Sequence, residues 1–212
     1  MQTLLGYIRR LLRAIERKRL KNKDFSLVTN NCIGGVISHD MHLQFRSPTV
    51  NLCFENEQFI IFCEHLEYYC SLPVTEVTDS GRNYPVGKLI GQYGEVKLFF
   101  MHYSSFDEAR RKWEERVNRM DYSNLFILME SRPECPMSLL SRFDKLPYNK
   151  AVLTCGPVAS INSSFPIRSS FYSKDYHNGK ILEYHRWGFR RFYERFDYVL
   201  FFNTGLIRKR YV

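Results

Sequence analysis

"FSLVTNNCIGGVISHD", residues 25–40, runs an apolar stretch into two asparagines, a cysteine and a glycine pair. Phe25–Thr29 has the β-branched and aromatic content of a buried strand. Asn30 and Asn31 suit a turn, and Gly34–Gly35 allow the backbone close approach before a helix begins. Three uses fit this corner: a cradle for phosphate, a cysteine nucleophile at a strand end, or a tight packing turn.

Outward from this corner the alternation continues. Strands are expected at 25–29, 49–54, 95–103, 125–131, 150–155 and 198–203, with helical stretches at 55–70, 105–119, 136–145 and 186–195. Nearly continuous apolar strands separated by helices predict an α/β fold: one three-layer domain with a mostly parallel, Rossmann-like sheet. The domain spans 24–212 and is preceded by a separate helix over 1–23. A length of 212 residues supports one sizeable core.

The net charge of +9 is concentrated at one end. Residues 1–23 hold eight arginines and lysines against Glu16 alone, a net of +7, which leaves +2 for the other 189. A nucleic-acid binder spreads basic surface over its folded body, so that class is set aside. Leu4, Ile8, Leu11 and Ile15 recur at helical spacing with arginines around them. Two readings fit equally: a helix lying on an anionic membrane surface, or one packing on its own domain or on a second subunit. No apolar run is long enough to span a bilayer. The six cysteines form no CxxC pair and sit largely in apolar runs, which suits a reducing cytoplasm.

In an open α/β sheet ligands bind beyond the carboxyl ends of the strands. The expected strands leave Asn30, Asn31 and Cys32, then His102 and Tyr103, then Glu130, Ser131 and Arg132, and finally Thr154 and Cys155, with Asn203 and Thr204 after the last. His102 is a candidate general base, with Glu130 beside it in that role. Cys32 at a helix start is a candidate nucleophile with His102 or His39 as base, although a free cysteine is more often a packing residue. Arg46 and Ser47, in the loop before the expected second strand, offer a fork and a hydroxyl to a phosphate. Tyr84 and Lys88 mark a second turn-rich loop, 83–89. Neither GxGxxG nor GxxxxGK[ST] is present, and no His/Cys/Asp cluster has metal-ligand spacing.

Four blocks, "NNCIGGVISHDMHLQFRSPTVNLCF" (30–54), "YPVGKL" (84–89), "HYSSFDEARRKWEERVNRM" (102–120) and "LFILMESRPECPMSLLSRFDKLPYNKAVLT" (125–154), together resemble the DUF1919 family. Its members are bacterial proteins often labelled exopolysaccharide or capsule biosynthesis proteins. The likeness runs from about residue 24 to 203, and it implies an α/β fold and a place in surface-glycan assembly. No catalytic residue carries over from it. The basic leading helix and "ASINSSFPIRSS" (159–170) read as departures from typical members.

With this resemblance, the expected activity is transfer of a glycosyl or related group from an activated donor, such as a nucleotide-sugar, to a glycan or lipid-linked acceptor. Asn30, Asn31, Gly34, Gly35, His39, Arg46 and Ser47 would hold the donor phosphate. His102 or Glu130 would deprotonate the acceptor, and Tyr84, Tyr103 and Arg132 would line the sugar groove. No cofactor or metal is expected, and residues 1–23 would rest on the cytoplasmic face of the inner membrane. The alternatives are a Cys32-dependent acyltransferase or hydrolase, and a non-catalytic scaffold of the polysaccharide machinery.

Overall fold

A computed structural model describes residues 2–78, 81–132, 134–167, 179–185 and 187–208. In chain order come α1 (Gln2–Arg19), β1 (Ser26–Thr29), α2 (Ile33–Met41), α3 (Asn56–Glu64), α4 (Leu66–Ser71), β2 (Thr75–Glu76), β3 (Val86–Gly91) and β4 (Gly94–Phe99). There follow α5 (Phe106–Val117), β5 (Leu125–Glu130), α6 (Met137–Asp144), β6 (Asn149–Thr154), β7 (Ser164–Pro166) and α7 (Tyr198–Thr204).

The expected α/β fold is present. A parallel sheet runs β1-β5-β6-β7. Every residue of β5 is buried, because the sheet is covered on both faces. Val28, Ile127, Met129 and Val152 face a core with α3, α5 and α6. Their neighbours Leu27, Phe126, Leu128, Ala151 and Leu153 face the opposite core, with α2 and α7. Strand period two therefore divides one apolar run between two cores.

Three strand expectations are corrected. Residues 95–103 do not join the parallel sheet: β4 pairs with β3 and β3 with β2, in a separate antiparallel sheet. β3 occupies the stretch expected as a loop around Lys88. Its Gly87 is needed, since a Cβ there would lie 2.7 Å from Val74 and 2.8 Å from Phe100. Residues 49–54 form a turn, with Asn51 at φ 66° and only an isolated bridge from Cys53 to Phe99. Residues 198–203 are helical. Asp197 caps that helix by accepting from the Leu200 amide at 3.1 Å, and Gly205 closes it at φ 73°. In the expected helix 186–195, Phe192–Arg195 is a short 3-10 turn, and residue 186 lies outside the described residues.

α1 meets the domain through its polar side. Arg13 is buried and pairs with Glu16 at 2.5 Å, with Asp40 at 3.1 Å and with Glu194. Tyr198 donates to Glu16 at 2.7 Å, and Arg190 pairs with the same carboxylate at 3.0 Å. Burial works against the Arg13 charge, but Glu194, Tyr198 and Glu16 outweigh it and hold its pKa above the usual value. Leu4, Leu11 and Ile15 point the other way, 63%, 52% and 48% exposed. Of the stripe expected to pack on the domain in one of the two readings, only Ile8 is half-buried.

Candidate functional site at the ends of two parallel strands

β1 and β5 lie side by side and parallel, so their carboxyl ends share one rim. The Asn30 side chain closes that rim, donating to the Glu130 carbonyl at 2.8 Å and accepting from the Glu130 amide at 2.9 Å. Asn31 turns outward. Its Nδ2 donates to Glu130 Oε2 at 2.5 Å, while its Oδ1 accepts the Ile33 amide at 2.9 Å and so caps the start of α2. One asparagine therefore fixes the Glu130 backbone and the next orients its carboxylate.

The antiparallel hairpin delivers the third component. Cys53 exchanges backbone hydrogen bonds with Phe99, at 2.9 and 3.1 Å, and the Phe54 amide donates to the Asn30 carbonyl at 3.0 Å. The end of β4 is thereby tied to the end of β1, which brings Met101 and His102 to the rim although their strand belongs to another sheet. Asn30, Asn31, Cys32, Cys53, Phe54, Met101, His102, Glu130, Arg132, Gly179 and Leu182 line one cavity of about 230 Å³.

Of the expected catalytic residues, His102, Glu130 and Cys32 all line this cavity, and Arg132 does as well. Cys32 is poorly suited to nucleophilic attack there. Burial, with a smaller contribution from Cys53, pushes its thiol up to about 11, so near neutral pH it stays protonated. Cys53 is likewise pushed up to about 11 by burial, against the pull of Arg132 and Arg82.

The expected phosphate group disperses. Arg46 pairs with Asp24 at 3.1 Å, beside the amino end of β1, at the opposite edge from the cavity. Ser47 is buried against Thr49, 3.0 Å away, and Thr49 Oγ1 accepts the Thr29 amide at 3.0 Å. His39 is exposed near the end of α2, 3.5 Å from Asp40. Gly34 and Gly35 serve packing: a Cβ on Gly34 would lie 2.8 Å from Thr29 Oγ1, and one on Gly35 3.3 Å from Asn51. Tyr84 does not line the cavity, and Tyr103 is occupied by Val50 and Arg116, donating to the former at 3.2 Å and accepting from the latter at 2.5 Å.

Sequence reasoning missed Cys53, Phe54, Met101 and Leu182. The first three arrive through the Cys53–Phe99 bridge between a turn and the end of β4, for which no periodicity exists. Asn56, buried in the first turn of α3 and 3.1 Å from the Asn30 amide, was missed for the same reason. A larger concavity of about 520 Å³ lies by Arg19, His185, Arg190, Arg195 and Arg208, away from the strand ends. Arg19 and Arg190 there are already paired with Asp197 and Glu16. The His185 pKa is lowered by burial and then by Arg195.

Residues 6–203 match the family described as "Domain of unknown function (DUF1919)". A protein of Haemophilus influenzae (strain ATCC 51907 / DSM 11121 / KW20 / Rd), described as "Uncharacterized protein", is 36% identical over 192 residues, covering 90% of this chain and 89% of that one. The family match begins within α1, so the leading helix is part of the shared extent and not an addition to it. It also takes in every residue of the strand-end cavity: the chain belongs to the DUF1919 family.

Proposed function

We propose that the protein is a transferase of cell-surface polysaccharide synthesis, moving a glycosyl or related group from a phosphate-activated donor to a glycan or lipid-linked acceptor. The observation that carries this reading is the meeting of a carboxylate, an imidazole and a guanidinium (Glu130, His102 and Arg132) in one cavity at the strand ends. Arg132 takes the role first expected of Arg46: it meets the donor phosphate and offsets the charge that grows as the leaving group departs. Glu130, aimed by Asn31, or His102 accepts the proton of the attacking hydroxyl. Phe54, Met101 and Leu182 give the cavity its apolar wall. About 230 Å³ is less than a whole nucleotide-sugar requires, so the reacting end enters and the remainder lies outside. The free thiols suit a cytoplasmic setting.

A thermal-shift screen of nucleotide-sugars tests the reading. A donor that raises the midpoint of the wild-type chain, and not that of Arg132→Ala, supports it. If no donor binds, or if Arg132→Ala, Glu130→Gln and His102→Ala all retain full turnover on an identified substrate, the reading fails. The Cys32-dependent alternative receives no support from a thiol held near 11.

A further inference from the structure

An amphipathic helix ordinarily buries its apolar stripe and shows its charges. α1 departs from this: it buries Arg13 and Glu16 and leaves much of its apolar stripe exposed. At about 100° per residue, the nine steps from Leu4 to Arg13 turn half-way round the helix. Accordingly Arg13 is 7% exposed and Leu4 63%. Tyr7, Leu11 and Ile15 lie on the Leu4 side, 66%, 52% and 48% exposed. Beyond the helix, Trp187 is 76% exposed, on a loop held against α1. There the Gly188 carbonyl accepts from Arg9 at 2.8 Å, and Gly188 packs near Leu5.

We infer that α1 docks the protein on an anionic bilayer surface, lying flat with Leu4, Tyr7, Leu11 and Ile15 in the interface and with its ionic side still fastened to the domain. The charge pattern selects this occupant. Arg10 and Lys18 border the stripe and Lys21 and Lys23 follow it, while Glu16, the only carboxylate in residues 1–23, is buried and paired. Two copies meeting through this face would oppose basic residues with no carboxylate to answer them, whereas an anionic leaflet complements them. Each such residue near the leaflet strengthens binding about fivefold. The helix lies on the surface and does not cross it, since no helix among the described residues is long and apolar enough to span a membrane. Trp187, with an amphipathic ring, is of the kind that settles at a headgroup boundary. Docking is independent of the chemistry at the strand ends.

The test is flotation of the full chain with vesicles of phosphatidylcholine alone or with about one-third phosphatidylserine, a composition dense enough in charge to engage a basic helix. Binding to the anionic vesicles only, weakened by salt, is expected. Leu11→Ser with Ile15→Ser, both at exposed positions, should lower it at least about tenfold, and Arg10→Glu with Lys18→Glu should do the same. Trp113 is buried and the chain has two tryptophans, so a blue shift in emission on binding reports Trp187. Equal binding to neutral vesicles, or none to anionic ones at low salt, overturns the inference. So does a dimer in sedimentation that Leu11→Ser dissociates, since a second copy would then be the occupant.

Discussion

The Asn30 amide and the Glu130 peptide are joined twice, at 2.8 and 2.9 Å, across the ends of two parallel strands. Both residues are almost wholly buried. The pair sets the depth at which the Glu130 carboxylate enters the cavity.

Asn30→Ala would leave the Glu130 amide and carbonyl without these partners. A loss of about 2–4 kcal/mol in stability is expected from two buried groups so exposed. A urea denaturation curve checks it, with the midpoint falling and the slope unchanged. An unaltered midpoint would show that the clamp contributes nothing.

Gly34→Ala separates packing from anion binding at the same corner. The new methyl would press on Thr29 at 2.8 Å, whose hydroxyl already donates to the Asn31 carbonyl at 2.7 Å. A fall of about 1–3 kcal/mol is expected with or without phosphate present. Calorimetry in the two buffers checks it.

Arg13→Ala would take the shared guanidinium from Glu16, Asp40 and Glu194 in the buried contact between α1 and the domain, leaving Glu16 with Tyr198 and Arg190. Breaking such a network costs about 3–5 kcal/mol. The variant is expected to release α1 to protease at native-like temperature, seen as early cleavage within residues 1–23. Arg13→Lys should recover only part, because a single ammonium cannot reproduce the fork toward Glu16, Asp40 and Glu194.

Alkaline pH is expected to weaken the fold. Burial raises the thiols of Cys32 and Cys53 to about 11 and those of Cys70 and Cys155 to about 12, against 9.0 without burial. In the unfolded chain they lose protons first, so their contribution is whole below pH 9 and shrinks as the pH rises toward 11 or 12. Each thiol within its window adds a slope of about 1.4 kcal/mol per pH unit. Denaturation series above pH 8.5 or so check the sign, and Cys32→Ala should flatten the curve. The same raised pKa predicts slow alkylation of Cys32 near neutrality.

Much of the parallel sheet was legible because β1, β5 and β6 are buried on both faces, and that produces apolar runs no surface element shows. The run at Tyr198–Asn203 looked the same and is a helix, though the deciding residues, Asp197 before it and Gly205 after it, stand in the sequence. Periodicity cannot separate a short apolar run of a strand from that of a short buried helix. The β3–β4 hairpin was hidden by Gly87 and Gly91, whose missing side chains admit Phe100 and Tyr68. For the cavity, His102, Glu130 and Arg132 were named from strand ends, and His102 arrived by another route than supposed. Arg46 was misplaced because the order of residues does not tell which end of a strand a loop will reach.

The ionic fastening of α1 joins residues 181 apart, Arg13 with Glu194. At ribosomal rates of about 5–20 residues per second, that spacing is a wait of roughly ten to forty seconds between the emergence of Arg13 and that of Glu194. Over that interval Arg13 has Glu16 and then Asp40 to meet, but Glu194, Tyr198 and Arg190 have yet to emerge, while the leucine stripe is already complete. The helix is thus complete well before it is fully secured, and a nascent chain meets its surroundings with this helix before the rest of the domain exists.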